Sequence, residues 1–266
     1  MMHTDNSLCS FPSSPDGKQL LEKLYGAQAR PEQSARWETL VRKTDSLFGL
    51  NGARLFSSPG RTELGGNHSD HQGGRVLCAA VHLDMAACVV PTADTMVRLS
   101  SSGWPEPISV DLSDLSPRAS EHGTPHALIR GVASALRARG SGLGGFCGAM
   151  DSLVPSGSGL SSSAAFELLI GQIFNALYNA SSLPPVLLAQ LGQEAENLHF
   201  GKPCGLMDQM ACALGGVNAI DFKEAIPLWQ RIDFDADACP YRLAILSSGG
   251  SHDNLTAEYA AIPAQM

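Results

Sequence analysis

One short stretch in the second half of the chain combines glycines and serines in a pattern that suits phosphate binding. It runs from Pro155 to Glu167 and reads PSGSGLSSSAAFE. The glycines let the backbone approach an anion closely, and serine hydroxyls donate hydrogen bonds to it or ligate Mg²⁺. The apolar run that follows predicts a helix, whose N-terminus offers unpaired N–H groups to the same anion. No Gly-Lys-Ser/Thr follows the glycines, so this is not a P-loop, and a flexible Gly/Ser linker stays open as an alternative.

A second segment, SPGRTELGGNHSDHQGGRV at residues 58–76, is dense in polar side chains flanked by glycines. Glycines permit sharp turns, and polar side chains that face inward from such turns form a hydrogen-bonding pocket for a hydroxyl-rich ligand. Two alternatives remain: a metal site made by His68, Asp70 and His71, and a solvated loop. The polar residues of the segment are Arg61, Glu63, Asn67, His68, Asp70 and His71.

The third segment, AENLHFGKPCGLMDQMACALGG at residues 195–216, places one carboxylate in apolar surroundings. Asp208 lies among few other charges, and such a carboxylate needs a partner or a function. The alternative is a helix N-cap or first-turn carboxylate at MDQMACAL. Glu196, on the preceding helix, has two possible roles. It contacts an ion held at the phosphate-binding stretch, or it is a solvated helix residue.

Composition narrows the classes of protein that the chain can represent. The 266 residues carry a net charge of −8, which argues against a nucleic-acid-binding surface. No stretch approaches the ~20 apolar residues that span a bilayer, and the N-terminus lacks the pattern of a secretory signal. The seven cysteines show no CxxC spacing, which favours a reducing compartment. We therefore predict a cytoplasmic protein without nucleic-acid or membrane partners; its oligomeric state is not predicted.

The pattern of apolar residues predicts mixed helices and strands without regular alternation, which favours an α+β fold. A glycine-rich turn, not a second nucleotide loop, is predicted at 140–148. Helices are predicted within 17–50, at 125–140, from the phosphate-binding stretch to about Ala180, at VLLAQLGQEAENLHFG and at MDQMACALG. Strands are predicted at 53–57 (stopping at Pro59-Gly60), 75–91, 95–102, 107–112, 144–155, VNAIDF and YRLAILSSG.

Taken in order, the three segments resemble the galactokinases of the GHMP small-molecule kinase superfamily. That family carries the signatures PGRxNxxGEHxDYxGG, PxGxGLSSSAA and PCGxMDQ, which stand here as PGRTELGGNHSDHQGG, PSGSGLSSSAAFE and PCGLMDQ. The second and third are near-complete matches. The resemblance spans residues 57 to 259 and implies an ATP- and Mg²⁺-dependent kinase that phosphorylates galactose at the C1 hydroxyl.

The resemblance also implies a role for each matching residue. Asp208 would face the anomeric hydroxyl as general base or orienting acceptor, and Arg61 would keep it ionised and stabilise the transferring phosphoryl group. Ser162 or Ser163 would hold Mg²⁺ together with Glu196. The ATP phosphates would lie against Gly157, Ser158, Gly159, Leu160, Ser161, Ser162 and Ser163. The sugar would contact Asn67, His68, Asp70, the backbone of Gly205 and Tyr259.

Two departures from the family pattern bear on function. Asn67 replaces the signature glutamate, Glu63 stands where the family usually has asparagine, and His71 replaces tyrosine. Full-length members continue well beyond Met266, so we expect a GHMP-kinase-like two-domain architecture with a truncated second domain. Residues 1–200 would form the N-terminal domain, and 201–266 the Asp208 segment and the start of an incomplete C-terminal domain. A GHMP kinase for another sugar, a weakly catalytic sugar/ATP sensor and a fragment stay open as alternatives.

Overall fold

The computed structural model describes residues 5–102, 106–234, 238–240 and 244. Helices in these residues are α1 (Asp5–Ser10), α2 (Pro15–Tyr25), α3 (Arg30–Phe48), α4 (Pro125–Ala138), α5 (Ser162–Tyr178), α6 (Pro185–Ala195) and α7 (Met207–Leu214). Strands are β1 (Arg54–Gly65), β2 (Arg75–Pro91), β3 (Met96–Ser101), β4 (Ile108–Asp111), β5 (Phe146–Ser152), β6 (Val217–Asp221) and β7 (Leu228–Ile232). The mixed α+β class predicted from the sequence is confirmed, and the strands form one sheet.

The long strand β2 is the centre of the sheet. One of its edges pairs with β1, while the other pairs with β6 near its start and with β5 near its end. The path through the sheet is β4-β3-β5-β2-β6-β7, and only the pairing of β3 with β5 is parallel. The 17 residues of β2 are rich in Val, Ala and Cys, which suits a strand buried on both faces.

The end predicted for β1 was wrong. The sequence pattern predicts an end at Pro59-Gly60, whereas β1 continues to Gly65 through a register shift between Pro59 and Arg61. Proline is tolerated because β1 lies at an edge and the bulge absorbs the missing N–H. A Cβ on Gly60 would lie 2.8 Å from the carbonyl oxygen of Leu160. The absence of a side chain there lets the strand lie directly against the phosphate-binding stretch.

Helices cover both faces of the sheet. On one face α4 and α5 pack on the sheet and α6 packs on these two helices; the rings of Phe146 and Phe174 meet edge to face at 5.3 Å. On the other face Trp37 and Val41 of α3 cover Ala86 and Cys88. Alternate residues of β2 thus serve opposite cores, as the two-residue period of a strand requires.

Most predicted elements are confirmed. The predicted turn at 140–148 and the predicted strand at 144–155 overlap, and β5 begins at Phe146. The strand β7 was not predicted. The predicted strand YRLAILSSG lies outside the described residues except for residue 244. The division of the chain after residue 200 stays a prediction; α7 packs on the sheet and β6 pairs within it. Among the described residues, no helix is long and apolar enough to cross a bilayer.

A buried polar network fastens the N-terminal helices to the sheet. Asp84 of β2 is 2% exposed. Its carboxylate accepts hydrogen bonds from Tyr25 Oη at 2.6 Å, Ser57 Oγ at 2.5 Å and Arg36 Nη1 at 2.7 Å. Arg36 also donates to Asp151 Oδ2 at 2.7 Å. The network therefore joins α2 and α3 to three strands.

A second buried cation carries a testable consequence for acid stability. Arg130 of α4 donates to both carboxylate oxygens of Glu121 at 2.8 Å. These hydrogen bonds hold the pKa of Glu121 below its ordinary value, against the opposing effect of burial. Since the unfolded chain then binds the proton more tightly, this stability is present above the ordinary pKa of about 4.3 and is lost as pH falls through the folded-state pKa.

We expect Glu121→Gln to lower the free energy of unfolding at pH 7 by roughly 1–3 kcal/mol, because the charge-assisted bonds to a buried arginine are lost. The variant should also lose less stability than the unaltered chain between pH 5 and acid pH. Urea unfolding at several pH values measures both effects. Glu22→Gln, which removes an exposed ion pair with Arg30, is the control. Equal pH dependence in Glu121→Gln and the unaltered chain would contradict the expectation.

Candidate active site

Arg61 and Asp208 form an ion pair although 147 residues separate them in the chain. Arg61 follows the bulge of β1, and Asp208 lies in the first turn of α7. Arg61 Nε and Nη2 lie 2.7 Å and 2.5 Å from the same oxygen, Asp208 Oδ1. The guanidinium is 7% exposed, whereas the Asp208 carboxylate keeps 29% of its surface exposed. The pair is therefore anchored on the arginine side and open to a ligand on the aspartate side.

The phosphate-binding stretch is attached directly to this pair. Arg61 Nη1 donates to the carbonyl oxygen of Gly159 at 2.5 Å, and its backbone N–H donates to Leu160 O at 3.0 Å. Ser161 Oγ donates to Asp208 Oδ2, the oxygen that Arg61 does not contact. Ser161 was predicted only as a phosphate-binding residue, and no sequence signal joins it to Asp208.

These contacts keep Asp208 ionised. Burial alone would raise the pKa of Asp208, but the charge of Arg61 and the hydrogen bond from Ser161 outweigh it and lower the pKa below its ordinary value. A carboxylate in this state is a hydrogen-bond acceptor at neutral pH. Of the two alternatives for Asp208, the N-cap is wrong, because Leu206 is the N-cap of α7; Asp208 is a first-turn carboxylate, and its side chain is also used by Arg61 and Ser161.

The stretch itself has the backbone geometry of an anion site. Gly157 and Gly159 have positive φ values of 68° and 76°, and Ser161 turns into α5 from a left-handed φ of 58°. The first N–H groups of α5 consequently lie at the end of the glycine turn, where no helical acceptor faces them. Leu160 is 4% exposed, so its side chain anchors the loop in the core. An open linker would not have these contacts.

Ser163 and Glu196 meet on the other side of the α5 N-terminus. Ser163 Oγ donates to Glu196 Oε1 at 2.9 Å. Glu196 is 3% exposed and begins a π-helical turn, Glu196–Phe200, of the type that often occurs at functional sites. Hydroxyl and carboxylate oxygens are the ligands that Mg²⁺ prefers, so this donor pair fits that ion. Of the two candidate serines, Ser163 is the one for which the structure shows a contact with Glu196.

Two further buried residues, neither of them predicted as a site residue, contact Glu196 or each other. Gln209 Nε2 donates to Glu196 Oε2 at 2.9 Å and to Glu167 Oε2 at 3.0 Å. Glu167 is 1% exposed, and within the described part of the chain its Oε1 has no hydrogen-bond partner. Burial and then the charge of Glu196 raise the pKa of Glu167 well above its ordinary value. The available signal was a glutamate inside the apolar helix sequence AAFELLIG.

The turn between β1 and β2 carries the predicted sugar ligands. Asn67 and His68 are both left-handed, with φ of 56° and 57°. Asp70 Oδ2 accepts from the N–H of Met207 at 3.0 Å, and His71 Nε2 accepts from the N–H of Gly205 at 3.2 Å. These two contacts fasten the turn to the segment that carries Asp208.

The same contacts decide which groups of the turn are available to a ligand. Asp70 Oδ1 is buried and has no hydrogen-bond partner among the described residues. The N–H of Gly205 is taken by His71, and a Cβ on Gly205 would lie 1.9 Å from Asp70 Oδ2, so only glycine fits there. Among the described residues, no three His, Cys, Asp or Glu side chains are grouped so that they could hold a metal ion. His68, Asp70 and His71 therefore do not form such a group. Tyr259 lies outside the described residues.

Comparison with known proteins agrees with this geometry. Residues 127–216 match the family of GHMP kinases N-terminal domains, and residues 45–91 match the galactokinase galactose-binding signature. A galactokinase of Clostridium tetani is 38% identical over 194 residues, which are 70% of this chain and 49% of that protein. A galactokinase of Streptomyces coelicolor is 35% identical over 223 residues, 83% of this chain and 57% of that protein.

Solved structures give the same result for the fold. The galactokinase of Lactococcus lactis complexed with galactose superposes with a TM-score of 0.63 at 30% identity, covering 70% of this chain and 48% of that one. The mevalonate kinase of Methanococcus jannaschii superposes with a TM-score of 0.56 at 18% identity, over 68% of this chain and 56% of that one, which shows a shared fold alone. The chain spans about half the length of the curated relatives it matches.

The fold is that of the GHMP kinases, as shown by the sheet, the glycine turn at the start of α5 and the matched segments. Within that class the chain is a homologue of the galactokinases, and the resemblance read from its three segments is confirmed.

Proposed function

We propose that the chain provides the sugar- and ATP-binding site of a kinase that phosphorylates galactose at the C1 hydroxyl, giving galactose 1-phosphate and ADP. The observation that carries the proposal is the contact of one carboxylate with two elements: Asp208 accepts from Arg61 and from Ser161 of the phosphate-binding stretch. A hydroxyl that binds to Asp208 would consequently lie next to the phosphate of a nucleotide bound at α5.

The choice of galactose is supported by the matched galactose-binding signature and by homologues named galactokinase. The partner is accordingly a small sugar, and Asp70 Oδ1 is a buried acceptor for one of its hydroxyls. His68 and Asn67 lie on the same turn as Asp70. Tyr259 remains a predicted sugar contact.

In the proposed reaction, the C1 oxygen forms a bond to the γ-phosphorus of ATP while the bond from that phosphorus to the β–γ bridging oxygen breaks. Asp208 accepts the hydrogen bond of the C1 hydroxyl and takes its proton as the new bond forms. Because its pKa is low and phosphoryl transfer has a loose transition state, orientation of the hydroxyl is the larger part of its contribution. Arg61 keeps Asp208 ionised and opposes the charge that develops on the transferred group.

Gly157–Ser163 would hold the phosphates through backbone N–H groups and hydroxyls. Mg²⁺ would be held by Ser163, or Ser162, together with Glu196, and would neutralise phosphate charge. Gln209 donates a hydrogen bond to Glu196 Oε2, the carboxylate oxygen that Ser163 does not contact, and so fixes the orientation of this carboxylate. A cytoplasmic location, where ATP and free sugar are both present, agrees with this role and stays a prediction.

A second candidate is a GHMP kinase for another sugar, favoured by the exchange of Glu63 and Asn67 relative to the family signature. A site that reads hydroxyl groups discriminates strongly when one of its partners is left unpaired. A sugar/ATP sensor would bind the same ligands without turnover.

The test is a coupled assay of ADP release with Mg-ATP across a panel of monosaccharides that includes galactose, glucose, arabinose and amino sugars. We expect galactose to give the highest kcat/KM and the product to carry phosphate on C1 by ³¹P NMR. A preference for another sugar would replace galactose with that sugar. Binding of galactose and ATP by calorimetry without turnover would support the sensor.

A further inference from the structure

Glu63 and Asn67 exchange places relative to the signature that the segment resembles. The signature has asparagine at position 63 and glutamate at position 67, whereas this chain has the reverse. The turn thus keeps one carboxylate and one amide but moves the charge four residues along the chain. Glu63 lies near the end of β1 and Asn67 in the turn that follows it, so the exchange moves the carboxylate from the turn to the strand.

Both oxygens of Glu63 are directed at one residue. Oε1 accepts the backbone N–H of His68 at 3.1 Å, and Oε2 lies 3.2 Å from His68 Nδ1. The Glu63 side chain is 15% exposed, so water competes little for these contacts. One carboxylate therefore holds both the backbone and the ring of His68.

This contact acts where the backbone is under strain. His68 has a left-handed φ of 57°, and so does its neighbour Asn67 at 56°. A left-handed conformation is sterically unfavourable for residues other than glycine, and asparagine tolerates it better than glutamate does. Asparagine thus fits position 67, and a carboxylate at 63 reaches back to stabilise position 68.

The opposite end of the turn is held as firmly. Asp70 and His71 accept from the N–H groups of Met207 and Gly205, next to Asp208. The position of the turn therefore depends on Glu63 at one end and on the Asp208 segment at the other. His68 lies two residues from Asp70, whose Oδ1 is a buried acceptor without a partner in the described residues.

We propose that Glu63 is a positioning residue for sugar recognition: it holds His68 and the turn in their binding conformation without contacting the sugar, so that the carboxylate of this segment acts from position 63, with asparagine at position 67. This inference rests on the proposed function for its sugar, galactose. It concerns affinity for the sugar, because both carboxylate oxygens of Glu63 contact His68 of the turn between β1 and β2.

The experiment compares Glu63→Asn, Glu63→Gln and Asn67→Glu with the unaltered chain. Glu63→Asn, whose side chain is too short to reach both groups of His68, should raise the KM for galactose by about 10- to 100-fold and leave the KM for ATP unchanged. Glu63→Gln retains an acceptor for the N–H and should recover part of the affinity. Asn67→Glu should not lower the KM for galactose. Glu22→Gln, which removes an exposed ion pair with Arg30, is the matched control.

A second readout does not depend on turnover. Long-range ¹H–¹⁵N correlation spectra, with the His68 signals assigned from a His68→Gln variant, report which ring nitrogen carries the proton. The His68 ring signals should change in Glu63→Asn and stay unchanged in Glu22→Gln.

The two readouts separate the inference from the proposed function. If the unaltered chain phosphorylates another sugar, the proposed function fails and the KM comparison is made with that sugar. A tenfold lower galactose KM in Asn67→Glu would overturn the inference, as would unchanged KM or ring signals in Glu63→Asn. If the unaltered chain turns over no sugar, the Kd for galactose from calorimetry replaces KM, and an unchanged Kd in Glu63→Asn overturns it equally.

Discussion

Replacing Asp208 with asparagine is expected to lower kcat for galactose phosphorylation by about 1,000-fold, within the usual range for removal of a general acid–base group. The amide keeps the shape of the side chain and one acceptor. It loses the charge that Arg61 and Ser161 hold in place and cannot take the hydroxyl proton. The measurement is the initial rate of ADP release at saturating galactose and Mg-ATP.

Binding must be measured beside the rate, since Asp208→Asn leaves the buried guanidinium of Arg61 without its anion. Nucleotide binding followed by calorimetry should change little, because the N–H groups of α5 do not depend on Asp208. Asp221→Asn, which removes an ion pair with the exposed Arg75, is the matched control and should retain full activity. A folded Asp208→Asn variant with a kcat within tenfold of the unaltered chain would exclude Asp208 from the chemistry.

The Asp84→Ala variant is expected to lose about 3–5 kcal/mol of unfolding free energy, the range observed when one partner of a buried ion pair is removed. Three donors lose their acceptor at once: Tyr25, Ser57 and Arg36. Burial and the charge of Asp84 raise the pKa of Tyr25, so the phenol stays protonated and needs an acceptor. Urea unfolding followed by circular dichroism and by tryptophan fluorescence measures the loss.

Trp37 gives this experiment a local probe, because its Nε1 lies 3.3 Å from Tyr25 Oη. Asp45→Ala, an exposed carboxylate on α3, should stay within about 0.5 kcal/mol of the unaltered chain. A loss below 1 kcal/mol in Asp84→Ala would show that Asp151 alone compensates Arg36. In that case the Asp84 network would not be the main attachment of α2 and α3 to the sheet.

Elements with strong local patterns could be predicted from the sequence. The long apolar run of β2 and the apolar face of α5 each bury most of their residues, and burial is what an apolar pattern records. The strand β7 was missed because all five of its residues are exposed and no core selects their type. The second half of β1 was missed because a bulge carries the strand past Pro59, and a bulge depends on the partner strand.

The candidate site likewise has local features that the sequence predicts and contacts between distant segments that it does not. The phosphate-binding stretch is local, so its glycines, serines and following helix are visible in one segment. The proximity of Arg61 to Asp208 was accessible only through resemblance to a family. The contacts of Ser161 with Asp208, of Gln209 with Glu167 and of Glu63 with His68 depend on side-chain directions that folding sets, and no spacing in the sequence encodes them.

The central strand β2 has a consequence for the order in which the chain can fold during synthesis. Its pairings with β1 and β5 involve residues made by position 152, whereas its pairing with β6 waits for residues 217–221. Such non-local pairing is slow to form because a long loop must close first. While the ribosome adds those residues, residues 75–79 of β2 lack their partner strand on one edge and Arg61 lacks its anion. The growing chain therefore passes through an aggregation-prone stage that ends when the Asp208 segment docks.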